Sequence, residues 1–168
     1  MKKKLYFGRI KLRKISKAKE NNFKYFLKKN NINKLNLKKK LILEIGIGMG
    51  ENLIHLSRKN LQKKIIGVDP FKNGMVNVSD YFIKNNIKNV YLYPFVFQKF
   101  LNKFKKLRFD IIYILFPDPW PKKKHHKRRI VNKHFLSQIL KILKINGKVY
   151  FSTDNFNYFE NVKTILKK

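Results

Sequence analysis

The stretch Leu41-Ile42-Leu43-Glu44-Ile45-Gly46-Ile47-Gly48-Met49-Gly50 decides the fold, because it joins a short apolar strand to a loop with glycine at every second position. Glycine has no Cβ, so such a loop turns sharply and lets a ligand approach the backbone closely. The segment from Glu51 to Lys59 has helical spacing. Compared with the dinucleotide fingerprint G-x-G-x-x-G, the third glycine comes one position early, which argues against a nucleotide-binding oxidoreductase.

A second predicted strand, Lys64 to Val68, ends at Asp69, about twenty positions after the glycine loop. At the carboxyl end of such a strand, an acidic side chain accepts hydrogen bonds from ribose hydroxyls. In the alternative interpretation the glycines form an ordinary turn and Asp69 caps a helix. The strand before the loop, the helix after it and the position of Asp69 together favour a cofactor site.

Strands and helices alternate along the rest of the chain, which predicts an α/β fold with a parallel sheet and helices on both faces. Continuous apolar strands agree with this, because they are buried on both sides. A Rossmann-like sheet of order 3-2-1-4-5 would bring the ends of the first and fourth strands together. The predicted strands are 41–45, 64–68, 89–93, 110–116 and 148–152, and the helices are 51–59, 73–85, 97–105, 132–143 and 156–167.

The first forty residues differ from the rest of the chain in being strongly basic. They carry one helical pattern, Lys17 to Lys29, with Ser16 as its expected N-cap. Residues 30–40 are predicted to be a polar connector. The sequence thus predicts a basic N-terminal extension, 1–40, followed by the cofactor-binding domain, 41–168.

The chain has 41 Lys and Arg against 9 Asp and Glu, a net charge of +32. Such a field attracts polyanions, although the abundance of Asn, Ile and Phe also fits an AT-rich genome in which lysine accumulates without selection for binding. The absence of cysteine excludes disulfides and a cysteine nucleophile. The longest apolar run, Ile111 to Phe116, is too short to cross a bilayer. We therefore expect a cytoplasmic protein with no membrane partner.

A second informative stretch follows the fourth strand: Phe116-Pro117-Asp118-Pro119-Trp120-Pro121-Lys122-Lys123-Lys124-His125-His126-Lys127-Arg128-Arg129. Prolines on both sides of Asp118 stiffen its backbone, and the predicted sheet order would hold this carboxylate opposite the glycine loop. Trp120 either stacks on a base or packs on the core, and the basic run either binds phosphates or is a solvated surface. His125 and His126 lack nearby cysteines or acidic residues, so no metal is expected.

These motifs closely resemble those of bacterial tRNA (guanine-N7)-methyltransferases. The E-x-G-x-G-x-G run is similar to motif I of class I methyltransferases that use S-adenosylmethionine (SAM), and the F-P-D-P-W-P loop with its basic run resembles the signature of the family. The resemblance covers nearly the whole chain, since it includes Gly8-Arg9, Ser16-Lys17, Gly67-Val68-Asp69 and Ser152-Thr153-Asp154.

The resemblance implies transfer of the SAM methyl group to N7 of a guanine in the variable loop of tRNA. The implied SAM contacts are Glu44, Gly46, Gly48, Gly50, Asp69 and Asp118, of which Asp118 is also the catalytic residue. The implied substrate contacts are Lys122 and Asp154, and the implied RNA contacts are Lys124, His125, His126, Lys127, Arg128 and Arg129. The sequence leaves open whether the protein is a monomer or a homodimer, and which tRNAs it modifies.

The chemistry of this reaction agrees with the residues present. Guanine N7 has an in-plane lone pair and no proton, so orientation in line with an activated methyl group is the main requirement. Carboxylates of Asp118 and Asp154 beside the base would stabilise the positive charge that develops on the purine. Basic side chains would hold phosphates, and Trp120 would stack on a base.

Two positions depart from the family pattern. Val96 stands where the family has an acidic residue near the adenine of SAM, and the sequence ends at Lys168, where the family continues with two strands and a T-K-[FY]-E motif. The fifth strand is therefore expected to be an exposed edge. The alternative function is a non-catalytic tRNA-binding remnant of the same family.

Overall fold

The computed structural model describes Gly8, Ile10 and residues 14–167; Arg9, which carries part of the predicted resemblance, lies outside them. A five-stranded sheet of order β3-β2-β1-β4-β5 forms the centre, and every neighbouring pair is parallel. This confirms the predicted α/β class and the strand order. The strands are β1 Leu41–Ile45, β2 Lys64–Val68, β3 Val90–Tyr93, β4 Phe109–Leu115 and β5 Leu143–Ser152.

Helices cover both faces of the sheet. Side chains alternate along β1, so Ile42 joins the apolar cluster under α1, α2 and α3, whereas Leu43 joins the cluster under α4, α5 and α6. No helix within the described part of the chain is both long and apolar enough to cross a bilayer. The helices are α1 Lys17–Lys29, α2 Glu51–Lys59, α3 Lys72–Lys84, α4 Phe97–Lys103, α5 Lys133–Ile142 and α6 Phe156–Leu166, with 3-10 helices at Ile32–Lys34 and Lys123–Arg128.

Helix α1 begins where its sequence predicts, and it packs on α3. The Ser16 hydroxyl accepts a hydrogen bond from the Lys19 backbone N–H at 3.4 Å, which caps the first turn. Phe23 and Phe26 are buried, and the Phe26 ring lies 5.8 Å from the ring of Phe82 on α3. The basic N-terminal helix is therefore anchored to α3 by aromatic side chains.

The segment between α1 and β1 differs from the polar connector that the sequence predicts. It contains the 3-10 helix Ile32–Lys34, and both Ile32 and Leu35 are buried in the apolar cluster under α4 to α6. The spacing of these two residues places them on one side of a 3-10 turn. Their apolar signal is hidden in the sequence by the surrounding Asn and Lys residues.

Strand β5 also differs from its prediction, because it begins at Leu143 instead of 148 and includes Asn146-Gly147, a pair typical of turns. Asn146 has a left-handed backbone, with φ of 62°, and the pairing of β5 with β4 shifts register around this point. Asparagine tolerates this conformation better than most residues, so the turn becomes a bulge rather than the end of a strand. As expected, β5 lies at the edge of the sheet, with Ile145 95% exposed.

Candidate active site

The glycine loop after β1 adopts a backbone that favours glycine. Gly46, Gly48 and Gly50 have φ angles of 80°, 56° and 93°. The loop is tied to the end of β2, because the Gly46 N–H donates to the Val68 carbonyl at 2.8 Å and the Gly48 N–H donates to Asp69 Oδ2 at 3.0 Å. These two hydrogen bonds thus connect the neighbouring carboxyl ends of β1 and β2.

The three glycines have two different structural roles. A Cβ added to Gly46 or Gly48 would meet no atom within 4 Å, so both face open space where a ligand can approach. A Cβ on Gly50 would lie 1.9 Å from Cγ1 of Val78, so Gly50 is required for the packing of α2 against α3. The resemblance implies cofactor contacts for all three glycines, and the open space favours Gly46 and Gly48 for this role.

Gly74 on α3 supports the same loop and was missed by the sequence analysis. A Cβ at this position would lie 1.8 Å from the carbonyl oxygen of Gly48, so only glycine lets the loop pack against α3. A lone glycine within a helical pattern gives no sign of such a neighbour, because Gly48 lies far from it along the sequence.

Glu44 is buried beneath the loop with part of its carboxylate unused. The side chain is 2% exposed, and Oε2 has no hydrogen-bond partner among the described residues. Burial raises the pKa of Glu44 to about 8; the nearby amide of Asn52 lowers it, and the charges of Asp69 and Glu51 raise it. The Asn52 amide nitrogen itself makes no well-formed hydrogen bond. These orphan atoms fit a ligand that carries donor and acceptor groups.

Asp69 stands at the carboxyl end of β2 and holds the loop in place. Its Oδ2 accepts from the Gly48 N–H, and its Oδ1 accepts from the Phe71 N–H at 2.8 Å. Burial raises the pKa of Asp69, the backbone bonds from Phe71 and Gly48 lower it, and the negative charge of Asp118 raises it again. The charges of the Asp69 and Asp118 carboxylates therefore interact, with Asp69 directly after β2 and Asp118 in the loop after β4.

The loop that carries Asp118 leaves β4 through an unusual backbone. Phe116 and Trp120 have φ angles of 46° and 44°, which are rare for residues with a side chain. The Phe116 N–H donates to the Ser152 carbonyl at 2.8 Å, so the loop starts beside the end of β5. Strain of this kind persists where the surroundings hold it and is concentrated at functional sites. Asp118 itself is exposed.

Arg129 does not lie where an RNA contact would need it. Its side chain is 4% exposed, Nε donates to the Pro119 carbonyl at 2.8 Å, and Nη2 donates to Asn157 Oδ1 at 3.0 Å. The guanidinium carbon lies 4.6 Å from the centre of the Tyr158 ring. The sequence interpretation of Arg129 as an RNA-binding residue is therefore corrected, because its guanidinium is used inside the protein.

The rest of the basic run is accessible. Lys122, Lys124 and Lys127 are exposed, whereas His125, His126 and Arg128 are partly exposed. Trp120 contacts this run: its ring meets the His125 ring edge-on at 5.8 Å, with the Arg128 guanidinium 4.9 Å from the ring centre.

Two further predicted positions lie at other strand ends. Asp154 follows β5 and is exposed, and Val96 precedes α4 with its carbonyl bonded to the helix. The described residues contain no cluster of three or more His, Asp or Glu that could hold a metal.

A doubly wound parallel sheet with this glycine loop defines a Rossmann-like methyltransferase fold. A structural relative with this fold is the precorrin-6y C5,15-methyltransferase of Geobacter metallireducens, with a TM-score of 0.60 and 14% identity over 86% of this chain and 68% of that one. Residues 38–168 match the family model described as "Putative methyltransferase", and the chain belongs to this family.

Curated relatives confirm the resemblance to tRNA (guanine-N7)-methyltransferases. The tRNA (guanine-N(7)-)-methyltransferase of Wolbachia pipientis is 32% identical over 83% of this chain and 64% of that protein. The bifunctional methyltransferase of Rickettsia typhi is 41% identical over 78% of this chain and 25% of that protein. The chain thus spans between a quarter and about two thirds of the length of these relatives.

Proposed function

We propose that the protein transfers the methyl group of SAM to N7 of a guanine in the variable loop of tRNA. The observation that carries this proposal is the open glycine loop beside Asp69, whose carboxylate interacts electrostatically with the exposed Asp118. The relationship to tRNA (guanine-N(7)-)-methyltransferases supports the choice of substrate.

The residues around the loop fit SAM as the cofactor. The amino-acid part of SAM has an ammonium group, which would give Glu44 Oε2 the donor it lacks, and a carboxylate, which would accept from the Asn52 amide. Gly46 and Gly48 leave open space for the chain of the cofactor. Each oxygen of Asp69 has a second lone pair for ribose hydroxyls. Bound SAM supplies a methyl group that its sulfonium already activates.

The protein then orients the guanine rather than moving a proton from it. N7 has a free lone pair, so alignment with the methyl group is the main requirement. The carboxylates of Asp118 and Asp154 accept hydrogen bonds from N1–H and the exocyclic amine, which distinguishes guanine from adenine. They also stabilise the positive charge that develops on the purine during transfer.

The basic run holds the tRNA through its phosphates. Lys122, Lys124 and Lys127 are exposed beside the Asp118 loop and provide charge without sequence readout. Trp120, with the Arg128 guanidinium over its ring, offers a surface on which a base of the RNA stacks. The contacts of Arg129 within the protein remove it from this set.

Incubation with methyl-labelled SAM and unfractionated tRNA tests the proposal. We expect label in tRNA and, after digestion to nucleosides, only in 7-methylguanosine. Label in another nucleoside would contradict the assignment to N7. Binding of tRNA without any incorporation at high protein concentration would indicate a non-catalytic tRNA-binding protein instead.

The double substitution Lys124→Gln and Lys127→Gln is expected to weaken tRNA binding and to reduce its salt dependence. Each lost phosphate contact lowers the slope of log K against log salt by about 0.7 to 0.9. Filter binding over a range of salt concentrations measures this slope. The matched control is Lys88→Gln with Lys106→Gln, which removes the same charge from exposed positions that precede β3 and β4, at the amino ends of the strands. Equal slopes for both variants would contradict a specific role of the basic run.

A further inference from the structure

Arg129 connects two parts of the site that no other described side chain joins in this way. On one side its Nε donates to the carbonyl of Pro119, the residue after Asp118. On the other side its Nη2 donates to Asn157, near the start of α6. Its planar group packs on Tyr158, which is fully buried and accepts a hydrogen bond from the Val131 N–H at 2.9 Å. One guanidinium thus links the Asp118 loop to α6.

The Arg129 contact supports a loop whose three prolines limit the hydrogen bonds that its own backbone can make. Pro117, Pro119 and Pro121 have no N–H to donate. Among the described residues, no backbone–backbone hydrogen bond involves residues 117–121. The Pro121 carbonyl also has a weaker contact with His126 Nε2, at 3.4 Å. The left-handed Trp120 directly after Pro119 therefore keeps its conformation with the help of Arg129.

We propose that Arg129 is a positioning residue for methyl transfer: it fixes the Pro119 carbonyl and thereby holds the Asp118 carboxylate opposite the glycine loop. This inference rests on the proposed function, and it replaces the RNA contact expected from the sequence. A buried guanidinium loses its hydration, and Nη1 of Arg129 has no partner among the described residues. The desolvation penalty is offset by the two hydrogen bonds and by packing on the ring of Tyr158.

The substitution Arg129→Lys separates this role from charge. Lysine keeps the positive charge but ends in one nitrogen, so it cannot reach both acceptors with the fixed fork of a guanidinium. We expect kcat for methyl transfer to fall roughly tenfold to a hundredfold, because small displacements of a reacting geometry are costly. KM for tRNA and the salt dependence of tRNA binding are expected to stay within about twofold, since the charge is retained.

Trp120 provides a readout that needs no catalysis, because it is the only tryptophan in the chain and directly follows Pro119. In Arg129→Lys we expect lower fluorescence anisotropy and stronger quenching by acrylamide. Asn157→Ala removes the partner on α6 and is expected to change the fluorescence in the same direction, whereas Asn157→Asp keeps an acceptor for Arg129 and retains the wild-type signal. Lys127→Gln should show the opposite pattern, with weaker tRNA binding and unchanged Trp120 anisotropy.

The proposal is overturned if Arg129→Lys leaves kcat and the Trp120 signal unchanged, or if it weakens tRNA binding in proportion to a lost phosphate contact. Should Arg129→Lys fail to fold by circular dichroism, Asn157→Ala decides, because its side chain is exposed. Unchanged anisotropy in that variant would then reject the link. If the wild-type protein transfers no methyl group, the proposed function fails, while the fluorescence comparison still tests whether Arg129 holds the loop.

Discussion

Asp118→Asn is expected to reduce kcat for methyl transfer about a hundredfold or more, with tRNA affinity changed by no more than about twofold. Asparagine keeps the shape of the side chain but removes the negative charge that faces the methylated purine. The charge is useful because it is already in place, in a loop stiffened by Pro117 and Pro119 and fixed by Arg129. Binding of the tRNA depends mainly on phosphate contacts elsewhere on the surface.

Single-turnover transfer with labelled SAM, combined with a separate tRNA binding assay, measures both quantities. The matched control is Glu160→Gln, which removes one negative charge from the surface of α6 beside Pro121. This variant is expected to keep the transfer rate within about twofold. An Asp118→Asn protein with wild-type kcat would exclude a catalytic role for the carboxylate, whatever the outcome for tRNA binding.

The central strands of this fold could be predicted because they are buried on both faces of the sheet. All five residues of β1 are buried, and the predicted 41–45 agrees with the observed Leu41–Ile45. The prediction for β4 extends one residue too far, because Phe116 is apolar but is 65% exposed and has a left-handed backbone. Apolar character therefore indicates burial in a strand only where the backbone continues as a strand.

The candidate site could be predicted wherever a motif marks a strand end. Glu44, Asp69 and Asp118 all lie at carboxyl ends of strands around the point where the strand order reverses. The sequence does not reveal, however, that both oxygens of Asp69 already accept backbone N–H groups, one of them from the glycine loop. Periodicity places a residue on an element, but it does not determine the partners of its side chain.

Arg129 shows why the rest could not be predicted. It is the last residue of a basic run, and nothing in the run distinguishes it from Arg128. Its burial depends on Asn157 and Tyr158, nearly thirty residues later, which pack against the loop only in the folded chain. Gly74 is a similar case, since its requirement comes from the carbonyl of Gly48. Contacts with residues far away in the sequence determine both roles, and neither composition nor periodicity indicates such contacts.

Glu44 is expected to make SAM binding dependent on pH. Its pKa is about 8 in the protein without ligand, so below that pH the carboxyl is mostly protonated. An ammonium group binds the ionised form, and a proton must therefore leave on binding. The affinity for SAM should rise by up to about tenfold per pH unit between pH 6 and 7 and reach its maximum near pH 8. Above that pH the ammonium begins to lose its own proton.

Calorimetric titration in buffers with different ionisation enthalpies measures the released proton directly. Glu44→Gln should release none, lose the rise in affinity, and bind SAM about tenfold to a hundredfold more weakly at pH 8, because a charged hydrogen bond is missing. The matched control is Glu51→Gln: the charge of Glu51 raises the pKa of Glu44, so the rise should persist but move to lower pH. Equal SAM affinity of the wild-type protein at pH 6 and pH 8 would refute the contact.

The same group should make the stability of the protein without SAM depend on pH in the opposite sense. The pKa of Glu44 is raised from 4.5 to about 8 on folding, so the folded state binds one more proton than the unfolded state between these values. The stabilising contribution is complete below about pH 4.5 and is lost as pH rises through about 8. Between pH 6 and pH 9, the melting temperature should fall less for Glu44→Gln than for the wild type. The same Glu44 proton therefore affects both SAM binding and folding. Burial raises the pKa of Glu44 and also leaves its Oε2 without a hydrogen-bond partner among the described residues.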